Sequence, residues 1–410
     1  MSLRQAKRLA AIGRVGDGLW TMGEAAAAVG LSVRQLRRLC RRVEGDGPVG
    51  VLHGNHGKPP ANKLAAKTTK KVVELARKKY AGFNDHHLTE KLAAHEHLEV
   101  GRETVRKWLR SAGIGAVQKR RPRKHRRRRD RKAQAGMMIQ WDGSRHDWLE
   151  GRGPWLTLVG AIDDATGEFL PGAMFVEQEC TAAYMHVLRT MVRAKGCPWS
   201  CYGDRHAIFR RNDDHWTLAE ELRGRQDPTH LGRALDGLGI ERIDAMSPQA
   251  KGRVERMWRT IQDRLCSELR LAKATTLAQA NVVLARYRRD HNHRFVVPAA
   301  SADLAWRTLD ARVDLNRIIS FRYSAPVRND NTVRLHGMVI DIAPGPGGRS
   351  YAKAMVEVRQ HLDGTWGVYH QDKRIGSAAP TTLAEVMPRR HRKRSAKTKA
   401  FAGLVEAVRT

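Results

Sequence analysis

Residues 119–132 read Lys-Arg-Arg-Pro-Arg-Lys-His-Arg-Arg-Arg-Arg-Asp-Arg-Lys, and eleven of these fourteen are Lys or Arg. No hydrophobic core can take up such a stretch, because burying unpaired charge is too costly. The run is expected to stay disordered without a polyanion. As a basic linker at 118–135 it is expected to mark a domain boundary. Its densest part, Arg126, Arg127, Arg128 and Arg129, is expected to track phosphate. The whole chain leans the same way, with 75 Lys and Arg against 42 Asp and Glu and a net charge of +33 over 410 residues. Such an excess repels itself unless a polyanion neutralises it, so nucleic acid is the natural partner. Charge sets the partner and not the activity, since a packaging protein can be equally basic. Aromatic residues are only 6 %, which argues against a single-strand stacking platform.

The part before the run reads as helical. In residues 1–45 the helix former Gly23-Glu24-Ala25-Ala26-Ala27-Ala28-Val29 is broken by Gly30-Leu31-Ser32, and Ser32 can cap a second helix. That helix places Val33, Leu36 and Leu39 on one face and Arg34, Gln35, Arg37 and Arg38 on the other. A short helix with Arg turned outward suits docking in a DNA major groove, so a helix-turn-helix domain is expected here. Residues 46–66 are rich in Gly, Pro, His and Asn and read as a linker. Residues 67–117 repeat the pattern with helices at 68–80, 88–93 and 102–109. Arg102, Thr104, Arg106 and Lys107 are the candidate DNA contacts of this second helix-turn-helix domain, with Trp108 and Leu109 packed inside.

After the run the periodicity changes to α/β. Strands are expected at 137–142, 155–162, 168–176, 199–203 and 240–243, and helices at 181–195, 230–238, from 252 to about 269, and around 277–293. An irregular polar segment covers 208–229. Three strands, a helix, a strand, a helix, a strand and a helix is the order of an RNase H-like fold, which sets a catalytic core at 136–298. A connector at 299–317 follows. Short strands with Gly turns at 318–388 suggest a small β-barrel, ahead of a basic tail at 389–410. The expectation is a multidomain chain: α-helical helix-turn-helix domains, an α/β RNase H-like core and a small C-terminal β-barrel.

Three acids in that core stand where chemistry could sit. Asp142 follows the apolar run Met137-Met138-Ile139-Gln140-Trp141, Asp204 ends Trp199-Ser200-Cys201-Tyr202-Gly203, and Glu255 lies where a Gly/Pro loop enters a helix. Carboxylates from two strand ends and one helix can hold two Mg²⁺ ions about 3.5–4 Å apart, an arrangement that serves phosphoryl transfer. Mn²⁺ is expected to substitute. Asp163 and Asp164 precede Ala165-Thr166-Gly167 and read as turn residues. Five cysteines without a CxxC pair give no zinc signature. There is no GxxxxGK[ST] loop, so no nucleotide cofactor is expected. No apolar run is long enough to span a bilayer, and the chain reads as cytoplasmic.

The stretches Gln140-Trp141-Asp142-Gly143-Ser144, Ala161-Ile162-Asp163-Asp164-Ala165-Thr166-Gly167, Tyr202-Gly203-Asp204-Arg205-His206 and Ser247-Pro248-Gln249-Ala250-Lys251-Gly252-Arg253-Val254-Glu255-Arg256 carry a resemblance. They are similar to those of bacterial insertion-sequence transposases of the DDE class, in particular the ISNCY group, and more distantly to retroviral integrases. The likeness runs from about residue 15 to 375 and is strongest at 136–295. It implies that Asp142, Asp204 and Glu255 are the metal-binding and catalytic carboxylates. It also implies a nucleoid-associated bacterial protein acting on double-stranded DNA, both transposon ends and target, as a dimer or higher oligomer. Lys251 and Arg253, beside Glu255, are expected to grip phosphate. Two departures exist. Asp204 and Glu255 are 51 positions apart, longer than in the best-known relatives, and segment 208–229 can absorb the excess. The basic residue that many relatives carry two turns after the Glu is Gln262 here, which leaves Arg259 as the candidate for that DNA contact. The other readings are a non-catalytic DNA-binding regulator and an RNase H-like nuclease that cuts without joining.

Overall fold

The computed structural model describes residues 2–57, 64–117, 129–204, 206–211, 216–244, 252–335 and 337–383. Arg126, Arg127, Arg128 and Lys251, named above as DNA contacts, lie outside them, as do the tail at 389–410 and most of the loop before Glu255. The chain forms two units, Met1–Val73 and Glu74–Thr410.

The first unit is built from α1 (Leu3–Gly16), α2 (Met22–Val29) and α3 (Val33–Asp46). All three start in the same way. Ser2, Thr21 and Ser32 accept from the amide three residues on, while Gln5, Glu24 and Gln35 reach back to the cap amide. Each such box satisfies two amides that a helix start leaves without partners. Gly30 ends α2 at φ 66°, a left-handed conformation that costs glycine nothing. The small core is Ala11, Ala25, Ala26, Leu36 and Cys40. Val33, expected to face inward with Leu36 and Leu39, is instead 38 % exposed, because the first turn of α3 projects beyond that core. The expected linker opens with an ordered 3₁₀ turn at Gly47–Val51, whose Val51 is buried. Helix α4 (Ala66–Lys78) crosses the boundary between the units.

The second unit opens with α5 (Asp85–Glu96) and α6 (Arg102–Ser111). Next come β1 (Met138–His146), β2 (Leu156–Asp163), β3 (Met174–Val176), α7 (Thr181–Lys195), β4 (Ser200–Gly203), the short α8 (Leu218–Arg223), α9 (His230–Gly237), β5 (Glu241–Asp244), α10 (Gly252–Leu271) and α11 (Leu277–Phe295). The five strands form one sheet in the order β3-β2-β1-β4-β5. β1, β2 and β3 are antiparallel, whereas β4 and β5 run parallel to β1. Alternation along β1 sends Ile139 and Trp141 into a core shared with α7 and α9. On the other face Leu156, Leu158 and Ile162 pack with Val254, Trp258 and Ile261 of α10. Both faces are therefore covered, and every residue of β2 is buried. The strand expected at 168–176 shrinks to β3 plus a single bridge between Phe169 and Ile162, because Pro171 lacks an amide and Gly172 turns at φ 92°.

Bridges from Leu304 to Ala135 and from Arg307 to Cys197 strap the connector onto this core. After α12 (Leu315–Ile318) come β6 (Ser320–Pro326), β7 (Thr332–Leu335), β8 (Met338–Asp341), β9 (Met355–His361), β10 (Trp366–His370) and β11 (Lys373–Ala378). The small barrel expected here does not form among the described residues. An open sheet, β11-β10-β9-β6, and a separate β7-β8 hairpin share one core of Val333, Ile340, Val356, Val358, Trp366 and Val368. One bridge, Ile342 to Gly376, joins the hairpin side to β11, too little pairing to close a cylinder.

Candidate active site

Asp142 lies on β1 and Asp204 is the first residue past β4. The two strands pair in parallel, Met138 with Ser200, Ile139 with Cys201 and Gln140 with Tyr202. Asp142 and Asp204 each stand two residues beyond that last pair. They therefore sit level on neighbouring strands whose backbones are about 4.8 Å apart. Both are half-buried. Gly203 lets the strand end approach closely, since a Cβ there would fall 2.9 Å from the Trp141 indole nitrogen. One Asp204 oxygen accepts from the His206 amide at 3.0 Å, which fixes the residue at the head of its loop.

Helix α10 lies across the Asp142 face of β1. The Val254 amide donates to Gln140 Oε1 at 3.3 Å, and Gln262 Nε2 donates to Ser144 Oγ at 3.0 Å. Gln140, Asp142 and Ser144 share that face by strand alternation, so Asp142 lies between the two anchor points. Glu255 is on the first turn of α10, next to the first anchor, and is exposed. A carboxylate there is favoured by the partial positive charge of the helix start. The donor set is all carboxylate oxygen, the kind that hard divalent cations take. Among the described residues, no three His, Cys, Asp or Glu side chains converge into a finished metal-binding cluster.

A fourth acid, unmarked by any sequence motif, borders the site. Glu179 precedes α7 and accepts from the Tyr184 hydroxyl at 2.5 Å. A Cβ on Gly143 would fall 2.7 Å from its carboxyl carbon, so Gly143 makes room for it. Burial first, then the charges of Glu179, Asp142 and Asp204, push the Tyr184 phenol well above its ordinary range. Negative charge thus converges on Tyr184 from the middle of β1, the end of β4 and the start of α7.

The turn acids are fully buried and hold structure. Asp163 accepts from the amides of Gly136 at 2.7 Å and Thr166 at 2.9 Å, and burial nonetheless raises its carboxyl. For Asp164 burial also opposes ionisation. Hydrogen bonds from Arg129 and the Lys132 amide, with the charges of Arg253 and Arg129, hold its carboxyl below the ordinary value. Arg129 and Arg253, expected to grip phosphate, are therefore both engaged with Asp164, at 2.6 and 2.5 Å.

On α3 Arg34, Gln35, Arg37 and Arg38 are all exposed, although the Gln35 carbonyl is folded back into the cap. On α6 Arg102, Arg106 and Lys107 are exposed over buried Val105 and Leu109, and Thr104 is half-buried. Arg106 is ion-paired with Glu103 of its own helix. Arg259 is exposed one turn beyond Glu255.

Outward basic helices, an α/β sheet and two level aspartates, one within β1 and one just past β4, define the class, a DNA-binding protein with a mixed α/β catalytic-type core. Residues 7–60 match the model of a helix-turn-helix domain family. The chain is 34 % identical over 391 residues to a Sinorhizobium fredii protein classed as a transposase (y4bF), covering 92 % of this chain and 84 % of the relative. It is 30 % identical over 331 residues to the transposase of insertion sequence IS1202 from Streptococcus pneumoniae, covering 72 % and 69 %. This chain belongs to the bacterial insertion-sequence transposase family. Among solved structures, the catalytic core of HTLV-2 integrase in complex with magnesium matches over 43 % of this chain and 97 % of its own, with 14 % identity and a TM-score of 0.29. A simian T-cell lymphotropic virus intasome with the PP2A subunit B56 gamma matches over 76 % and 100 %, with 13 % identity and a TM-score of 0.31. Both structural likenesses are loose, and the two transposases are what show the family. No helix among the described residues is long and apolar enough to cross a membrane.

Proposed function

We propose that this transposase works by the DDE route, with Asp142, Asp204 and Glu255 as its catalytic carboxylates. It binds the inverted repeats at transposon ends, hydrolyses each end to free a 3′-OH, and joins that hydroxyl to target DNA at the same site. The reading is carried by the level placement of Asp142 and Asp204, with the first turn of α10, bearing Glu255, on the helix that covers the Asp142 face. Asp142 and Asp204 are set by the sheet before any ligand arrives. Glu255, exposed at its helix start, completes the set when DNA enters. These three carboxylates would hold two Mg²⁺ ions, or Mn²⁺ in their place, which supply activation of the attacking oxygen and stabilisation of the leaving one. Glu179 and Tyr184 keep the wall behind the site polar and fixed.

The exposed faces of α3 and α6 supply repeat recognition, through Arg34, Arg37, Arg38, Arg102, Arg106 and Lys107. The basic run with Arg126, Arg127 and Arg128, together with Lys251 and Arg259, supplies contacts to phosphate. Arg129 and Arg253 anchor that surface through Asp164. Two ends must be processed together, so the working form is a dimer or larger assembly on bacterial DNA, in the cytoplasm. The test is to incubate full-length protein with labelled transposon-end DNA, target DNA and Mg²⁺. Joined products support the reading. Cut products alone would favour a nuclease, and a mobility shift without reaction would favour a regulator.

A further inference from the structure

Asp164 is fully buried beside the site and collects partners from three distant parts of the chain. Its Oδ1 accepts from Arg129 at 2.6 Å, Gln140 Nε2 at 2.6 Å and Arg253 at 2.5 Å, and its Oδ2 accepts from the Lys132 amide at 2.9 Å. Two of these partners lead to the first turn of α10. Arg253 belongs to that turn and also donates to the Arg129 carbonyl at 2.6 Å. Gln140, held by Asp164 through its amide nitrogen, uses its other end to accept from the Val254 amide. That amide is one of the few that a helix start leaves without an intrahelical partner. The residue after these two anchored positions is Glu255, and the residue two beyond Gln140 on the same strand face is Asp142.

We propose that Asp164 is a positioning residue for the active site: through Arg253 and Gln140 it fixes the first turn of α10, and so sets where Glu255 stands relative to Asp142. The same carboxylate also holds Arg129 and the Lys132 backbone amide. The role in catalysis rests on the DDE reading above, whereas the clamp itself rests only on these contacts. A buried carboxylate that holds two guanidiniums and a side-chain amide is costly to replace, since removing its charge strands all three.

The experiment uses full-length protein without added metal and measures deuterium uptake in peptides covering 252–257. Asp164→Asn, Gln140→Leu and Arg253→Gln should each speed exchange there by roughly tenfold to a hundredfold, the effect expected for losing a hydrogen bond to a charged group. Gln140→Leu and Arg253→Gln leave no uncompensated buried charge, so they report even if Asp164→Asn folds poorly. With Mg²⁺ and DNA, the same variants should raise the Mg²⁺ midpoint for joining, and the shift should be smaller in Mn²⁺. A double change of Asp164 and Arg253 should cost little more than the larger single one, because both act through one contact. Unchanged exchange at 252–257 in Gln140→Leu and Arg253→Gln would overturn the clamp. Normal joining by Glu255→Gln would instead overturn the DDE reading and the clamp's part in it, and the exchange data would still judge the clamp alone.

Discussion

The two helical regions ahead of the sheet share a sequence pattern and differ in what holds them. In the first unit, α1 to α3 close around Ala11, Ala25, Ala26, Leu36 and Cys40, an apolar core with no ion pair in it. In the second region α5 is fastened to α10, the helix that carries Glu255. Glu268 of α10 takes His87 and Lys91 at 2.7 Å each, and Arg264 of α10, 5 % exposed, bonds Glu90 at 2.7 Å. Arg294 of α11 adds a second guanidinium to Glu90, at 3.3 Å. Asn84 reaches Asp263, and Arg270 reaches the Ala81 carbonyl and Glu150. The same outward-Arg pattern thus appears once on a unit whose core is apolar throughout and once on a region that buries Tyr80, Leu88, Leu92, Val105 and Leu109 and is in addition tied to α10 by charge. A pattern of exposed residues describes the surface of a helix. It does not say which core the helix belongs to.

The largest effect expected from this difference is on stability. Arg264→Met should destabilise the second unit by about 3–5 kcal/mol, because Glu90 is left without its main partner in a half-buried place. Pairing it with Glu90→Gln should recover much of the loss. Leu36→Ala should cost the first unit about 2–5 kcal/mol through its cavity, while the second unit keeps its transition. Urea unfolding followed by exchange on each segment measures both. If the two substitutions melt both units together, the units are not separate in the way described.

Acid should separate the regions next. Burial lowers the His87 pKa below its ordinary 6.5, against the pull of Glu268. Burial would raise the carboxyls of Glu268 and Glu90, but hydrogen bonds from His87 and Lys91 to the first, and from Arg264 to the second, hold both below their ordinary 4.5. All three folded-state values lie under the unfolded ones. Their contribution is therefore complete above about pH 6.5 and declines as pH falls, first with His87 below that value and then with the glutamates below about 4.5. Exchange at α5 should rise on going from pH 7 to 5, while α1 to α3 stay protected once intrinsic rates are corrected. Equal loss in both regions would break the comparison.

The smallest effect is on DNA binding. Replacing Arg34, Arg37 and Arg38 with Ala should lower the salt slope of repeat binding by up to about 3, near 0.9 for each phosphate no longer neutralised. The same treatment of Arg102, Arg106 and Lys107 should lower it by roughly 2, because Arg106 is already paired with Glu103. A larger effect from the second set would show that α6 is the main reader.

Much of the architecture was legible in the sequence because local signals agreed. Residues 181–195 read as a helix and α7 spans Thr181–Lys195, ended by Gly196. The order of the core strands followed from runs such as Met137-Met138-Ile139. Other features were hidden for physical reasons. Strand β11, Lys-Arg-Ile-Gly-Ser-Ala, carries no alternating pattern and pairs only because β10 is beside it. Helix α1 is half apolar and the Ser2–Gln5 box marks its start, but Gly13 and Gly16 weaken its helical signal. At the site, Asp142 and Asp204 were visible as acids closing apolar runs. The carboxylate clamp was not, because it joins residues 129, 140, 164 and 253, which no local spacing connects. Glu179 also leaves no trace, since its placement depends on Gly143 and Tyr184.

In the proposed mechanism one carboxylate site performs both cleavage and joining. Single-turnover assays on Asp142→Asn, Asp204→Asn and Glu255→Gln test it most directly, in Mg²⁺ and again in Mn²⁺, with repeat binding measured alongside. Each change keeps side-chain size and removes a charged oxygen from a set that hard cations need. Every one of the three should lose cleavage and joining together while binding repeat DNA as before. Near-normal joining by any of them would remove that residue from the site and rule out a single three-carboxylate centre.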